Sequence, residues 1–200
     1  RSDLVFTWRR RPILRLLLHR DGSVPPAATA EVRPVRPPVP GGVALLSIVI
    51  DDVGHNRFAL EEALRINRPI TYSVLPFRPY SSSLAETLHN HGFPIMLHMP
   101  MEPESRVADP GRGAIMTDMG EPEIREKLDE ALAAVPHARG VNNHMGSRVT
   151  KDLRSVRILL DEASCRRNLF FLDSLTARSV VLEAAGSMGV PVLQRDVFLD

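Results

Sequence analysis

From Leu45 onward, short apolar runs alternate with segments whose apolar residues recur at helical spacing. The first run, Leu45-Leu46-Ser47-Ile48-Val49-Ile50, is nearly unbroken and rich in β-branched residues, the pattern of a strand buried on both faces. Further strands are predicted over 70–75, 94–98, 140–143, 169–172 and 191–194, with helices near 57–66, 81–91, 121–134, 152–166 and 177–188. Such strict alternation predicts an α/β fold in which helices cover a parallel sheet. Local punctuation agrees: Gly92 and Gly189 each end a helical stretch as left-handed caps do, and Glu121-Pro122-Glu123 is a helix-opening sequence.

No glycine-rich phosphate loop follows the first strand; Asp51-Asp52-Val53-Gly54-His55-Asn56 stands there instead, which removes the commonest nucleotide-binding arrangement. Polar candidates at several strand ends fit a barrel, whose strand ends converge on one mouth. Six strands do not fill an eight-stranded barrel, so a distorted, incomplete (β/α) barrel is expected.

Residues 22–42 hold Pro25-Pro26, Pro34, Pro37-Pro38, Pro40 and Gly41-Gly42, a composition of extended chain. We therefore divide the chain into a basic, Pro-rich tail and linker, 1–42, and a folded domain, 43–200, with the basic segment expected to be a solvated arm. The formal net charge of the 200 residues is +1, but Arg9-Arg10-Arg11, Arg15, Arg20, Arg33 and Arg36 crowd the tail. The rest is slightly acidic, which argues against a nucleic-acid surface. The single cysteine, Cys165, excludes a disulfide framework within the chain, and no apolar run reaches the length of a membrane span. Because the chain begins at Arg1 rather than Met, a longer natural protein is expected.

Three strand ends deliver metal-competent side chains. Asp51 and Asp52 end the first run, His98 follows Ile95-Met96-Leu97, and His144 follows Gly140-Val141-Asn142-Asn143. Asp with two His is a usual protein contribution to a hydrolytic zinc-type site with an open position. Adjacent strand residues point to opposite faces, so Asp51 and Asp52 are expected to do different work, one as ligand and one as general base. The Asn142 and Asn143 amides and Ser147 can orient an imidazole or hold sugar hydroxyls. Asp173, after Phe170-Phe171-Leu172, is a candidate to orient a metal-bound histidine; Arg148 and Arg195 are candidates to stabilise an oxyanion. An Asp173–Arg195 ion pair is the structural alternative. The connection 99–120 leaves His98 directly and is expected to wall the site.

The runs Ile48-Val49-Ile50-Asp51-Asp52-Val53-Gly54, Leu97-His98-Met99-Pro100-Met101-Glu102-Pro103, Gly140-Val141-Asn142-Asn143-His144-Met145-Gly146-Ser147-Arg148 and Phe171-Leu172-Asp173-Ser174 resemble the divergent polysaccharide deacetylase family, as do Val74-Leu75-Pro76-Phe77 and Arg195-Asp196-Val197-Phe198-Leu199-Asp200. That family is similar to carbohydrate esterases of the NodB type. The resemblance implies a distorted barrel, a divalent ion such as Zn²⁺, and removal of N- or O-acetyl groups from a polysaccharide or peptidoglycan-like glycan. By position it makes Asp51 the base and Asp52 a ligand, with His98 and His144 completing the ligand set. Glu102, Asn143 and Asp173 then stand as substrate contacts. The family's His-x-x-x-His motif has only the near forms His98-x-x-x-Glu102 and His144-x-x-x-Arg148 here. The resemblance further implies chain beyond Asp200 and an extracytoplasmic setting, periplasm or cell envelope. A non-catalytic, envelope-associated binding relative and a phosphoester hydrolase are the rival readings.

Overall fold

The computed structural model describes residues 2–8, 11–18, 46–56, 64–66 and 68–198. The chain divides into two compact units, Arg1–Leu45 with Asp196–Asp200, and Leu46–Arg195. In the first, β1 (Ser2–Trp8) pairs antiparallel with β2 (Arg11–Leu18), with a register shift between Phe6 and Thr7. Val5, Phe6, Thr7 and Trp8, like Ile13, are residues that favour strands, which suits this pairing. The Pro-rich linker and most of the helix predicted at 57–66 lie outside the described residues; Leu64 and Arg65 are helical.

The second unit is built on six parallel strands: β3 (Val49–Val53), β4 (Thr71–Val74), β5 (Ile95–Met101), β6 (Ala138–Met145), β7 (Phe170–Asp173) and β8 (Val192–Gln194). Their order in the sheet is their order in the chain. Crossovers of the usual right hand that all advance in one direction lay their helices on the same face, without the reversal that creates a doubly wound sheet. The sheet is open, with β3 and β8 as its edges, and corresponds to an incomplete α/β barrel.

Residues Val53, Val74, Leu97, Val141, Phe171 and Val192 pair across all six strands in one row. This row faces the helices α1 (Ser81–Asn90), α2 (Glu121–Ala134), α3 (Leu153–Leu160) and α4 (Val181–Met188), and packs with Leu84, Ile124, Leu128, Leu159 and Ala184 into one core. The next row has the opposite facing: His98, Asn142, Leu172 and Leu193 pair in register there. Apolar residues thus fill the helical side while polar residues collect on the other.

Helix ends follow the sequence. Gly189 caps α4 in the left-handed conformation and Gly92 follows α1 with φ 85°. At the start of α2, Glu123 Oε2 accepts the Gly120 N–H at 2.7 Å. The helix predicted over 152–166 changes character part-way: Asp161–Arg166 is a π-helical turn. Arg125 of α2 reaches both Asp161 (2.8 Å) and Glu162 (2.5 Å) there, so the widened turn presents two consecutive carboxylates to one guanidinium. Among the described residues no helix is long and apolar enough to cross a membrane.

Candidate metal centre

The first strand reaches the centre through a bulge. Ile50 pairs with Tyr72 and Val53 with Val74, so Asp51 and Asp52 together stand opposite Ser73. One extra residue in a ladder turns the backbone locally, and Asp52 absorbs the turn with φ 58°. The expectation that the two carboxylates face opposite sides is thereby corrected. Asp51 Oδ1 lies 3.9 Å from His98 Nδ1, and Asp52 Oδ1 lies 3.3 Å from His98 Nε2.

His98 comes from the middle of β5 and is buried. In the parallel register it stands opposite Asn142, while His144 stands opposite Pro100. Asn142 and His144 are two residues apart and so share a face with His98. His144 Nδ1 lies 3.2 Å from His98 Nε2 and 3.0 Å from Asp52 Oδ1. Gly146, with φ 81°, lets the chain turn away directly after His144: a Cβ there would meet the Met101 Cβ at 2.9 Å.

Three donor atoms thus form a triangle with edges of 3.0, 3.2 and 3.3 Å. Bonds near 2.0 Å to a tetrahedral ion place its ligands about 3.3 Å apart, so the triangle has the dimensions of one face of such a site. An octahedral ion at 2.1 Å has edges of about 3.0 Å, which the same triangle also spans. The residues present therefore fit a divalent cation. Among the described residues this is the one group of three acidic or His side chains placed to share an ion. When His144 and His98 carry protons on the nitrogens that face it, their hydrogen bonds hold the Asp52 carboxyl far below the usual carboxylate range, against a smaller opposing effect of burial.

A family model described as divergent polysaccharide deacetylase matches residues 48–200. The chain belongs to the divergent polysaccharide deacetylase family. It is 36% identical over 156 residues to the uncharacterized protein YibQ of Escherichia coli (strain K12), covering 78% of this chain and 48% of that relative. A Haemophilus influenzae protein, also uncharacterized, is 35% identical over 156 residues, covering 78% of this chain and 55% of its own length. The chain thus spans about half the length of the curated relatives it matches. The crystal structure of the uncharacterized protein ATU2773 from Agrobacterium tumefaciens C58 superposes with a TM-score of 0.70 at 23% identity, over 77% of this chain and 63% of that one. That likeness concerns the fold alone and agrees with the open sheet described above.

Other residues singled out in the sequence are engaged in building the walls. Asn143 is buried, its Oδ1 accepting the Ser174 N–H (2.9 Å) and its Nδ2 donating to the Met145 carbonyl (2.9 Å). Asp173 is fully buried and accepts from the Leu175 N–H, Ser179 Oγ and Gln194 Nε2. Neither a histidine nor an Arg195 ion pair engages it in these contacts; Arg195 instead donates to the Ser174 and Leu175 carbonyls at 2.6 and 3.2 Å. Arg195 and Asp173 together fasten the turn after β7, where Leu175 has φ 57°. Glu102 accepts from Thr117 N and Oγ1 and from Arg148 Nη1 (3.0 Å). Through these contacts Glu102, Asp173, Arg195 and Arg148 brace the turn after β7 and the loop that follows His98.

The connection 99–120 returns along β5, where Ile115 pairs with Met101, and then leans on the segment after His144. Glu104 N donates to Ser147 Oγ at 2.9 Å, and the Glu104 carboxylate pairs with Lys151. Two participants had no strong sequence signal. Ser73 lies mid-strand between Tyr72 and Val74, marked only as a buried hydroxyl in an apolar run, and Ser174 reads as a turn residue.

Proposed function

We propose that this chain is a metal-dependent hydrolase that removes acetyl groups from an N- or O-acetylated polysaccharide, a peptidoglycan-like glycan included. The observation that carries the reading is the Asp52–His98–His144 triangle with a second carboxylate, Asp51, beside it. Membership of the deacetylase family supports the substrate class.

Asp52 Oδ1, His98 Nε2 and His144 Nδ1 hold the ion, for which Zn²⁺ is the first choice. Such an ion supplies Lewis acidity, lowering the pKa of water and polarising an acetyl carbonyl. Asp51 is the general base: its side chain is 33% exposed, enough to receive a proton from water, and Asn142 Nδ2 holds its Oδ1 in place at 3.0 Å. The same carboxyl then returns the proton to the departing amine or alcohol. Since a glycan of this class is met in the periplasm or cell envelope, an extracytoplasmic setting goes with the proposal.

The test is acetate release from acetylated chitooligosaccharide and O-acetylated glycans, in the presence of Zn²⁺, by the parent and by Asp51→Asn. Release by the parent and loss of about 100-fold or more in the variant is expected for a general base. A second reading, a glycan-binding relative without turnover, is favoured by the commitment of Arg148 and Arg195 to wall contacts. Metal and glycan binding by the parent with no acetate released would establish that reading and sink the first.

A further inference from the structure

We infer that Asn142 determines which nitrogen of His98 is bare, and thereby which atom of His98 a cation meets. The inference rests on the metal reading of the site and is independent of the acetyl chemistry.

Asn142 is almost wholly buried, and every hydrogen-bonding position of its amide is occupied. Its Oδ1 lies 2.5 Å from Ser73 Oγ and 2.9 Å from His98 Nδ1; its Nδ2 lies 3.0 Å from Asp51 Oδ1 and 3.2 Å from Ser174 Oγ. An ionised carboxylate can only accept, so the NH₂ group must face Asp51. Reversing the amide would set a carbonyl oxygen against a carboxylate oxygen at the same separation.

With the amide locked, the oxygen faces His98. That oxygen has no hydrogen to give, so His98 Nδ1 must carry one. In the neutral ring Nε2 is then a bare lone pair. This lone pair looks at Asp52 Oδ1, itself an acceptor, across 3.3 Å. Two acceptors held so close need a donated proton or a cation between them; His144 Nδ1, 3.0 Å from one and 3.2 Å from the other, stands at the third corner, and the rigid frame that imposes the arrangement runs from β4 through Asn142 to the bulge of β3. Residues that orient a metal-bound imidazole through its other nitrogen act in this way generally, and most do so from a carboxylate or a backbone carbonyl. Here the amide serves two clients at once, the ligand His98 and the carboxylate Asp51, and a carboxylate in its place could serve only the first.

Imidazole ¹⁵N NMR of the full chain, before and after addition of Zn²⁺, reads the tautomer directly. We expect His98 to be protonated at Nδ1 in the metal-free parent, with the Nε2 resonance moving on Zn²⁺ addition. In Asn142→Leu the tautomer preference disappears and Co²⁺ affinity, read from its d–d absorption, falls about 10- to 100-fold, whereas Asn142→Asp, which keeps the acceptor, stays within about threefold. Protonation of His98 at Nε2 in the parent overturns the inference, whatever the variants do. So does a folded Asn142→Leu chain that binds Co²⁺ as tightly as the parent. The expected tautomer and affinities without acetate release would overturn the deacetylase and leave the role of Asn142 standing.

Discussion

Asp52 Oδ1 lies 3.0 Å from His144 Nδ1, although β4 and β5 stand between the strands that carry them. Three strand spacings in a flat sheet amount to about 14 Å. Twist and curl of the sheet, together with the bulge that swings Asp52 inward, bring the two atoms into contact distance. The centre is therefore a product of sheet curvature, and its ligands test whether the arc is intact.

Metal content should follow the triangle. The parent is expected to retain one Zn²⁺ or Co²⁺ per chain after dialysis, and Asp52→Ala and His144→Ala each to lose affinity by about 100-fold or more, beyond what removal of an outer partner costs. Elemental analysis beside a competition titration measures both. Full occupancy in His144→Ala would remove that residue from the ligand set.

The left-handed backbone at Asp52 can be separated from its ligand role. Without metal, Asp52→Ala and Asp52→Gly both lose the carboxylate, but only alanine pays for a Cβ at φ 58°. Asp52→Ala should therefore be about 1 kcal/mol less stable than Asp52→Gly in urea unfolding. Equal stability would show that the bulge relaxes when its aspartate is gone.

Acid should weaken the metal-free fold in a predictable sense. The Asp52 carboxyl is lowered by the hydrogen bonds that His144 and His98 donate once their facing nitrogens are protonated, and the Asp161 carboxyl chiefly by its hydrogen bond from Arg125. A group lowered in the folded state contributes fully above its unfolded value, 3.8 for both, and loses that contribution as pH falls through the folded value. Chemical denaturation from pH 7 downward should show stability level until roughly pH 5 and then falling. The gap between parent and Asp52→Asn should narrow across the same acid range; a gap that stays constant would show that the carboxylate gains nothing from the two imidazoles.

Arg195 distinguishes a wall clamp from an oxyanion group. Arg195→Met should lower unfolding stability by about 1–3 kcal/mol, since the Ser174 and Leu175 carbonyls lose donors. Metal affinity should change little. A variant of unaltered stability whose kcat alone collapses would restore the catalytic assignment.

Gly146 packs the chain leaving β6 against the end of β5. A Cβ would collide with the Met101 Cβ and would also sit on a left-handed backbone, so Gly146→Ala should cost about 2 kcal/mol and weaken metal binding by displacing His144. Thermal unfolding and the same Co²⁺ titration read the two effects together.

Much of the architecture was legible along the chain because short continuous apolar runs mark buried parallel strands, while a period near 3.6 marks the helices between them. The runs before Asp51, His98, His144 and Asp173 read as strands, and Gly92 and Gly189 read as helix ends, for local reasons that need no tertiary contact. The chemical types at the strand ends were equally visible, since Asp, Asp, His and His are a donor set wherever they meet. What those residues face is a different matter. The side taken by Asp51 and Asp52 depends on one extra residue in the β3–β4 ladder, and pairing with β4 creates it. Whether Asn143 or Asn142 serves the histidines depends on β5–β6 register, which sets Asn142 opposite His98 and turns Asn143 the other way. Arg195 was a candidate for an oxyanion and Asp173 for orienting a histidine; the bonds each makes in the turn after β7 became visible only in the tertiary structure. Ser73 carried no motif at all; it matters because the curled sheet brings β4 within reach of β6 across β5. Periodicity and residue type are local properties of a chain, so the sequence determined the elements and the inventory of donors; register, bulge and curvature arise only when strands pair, and they decided which donors meet.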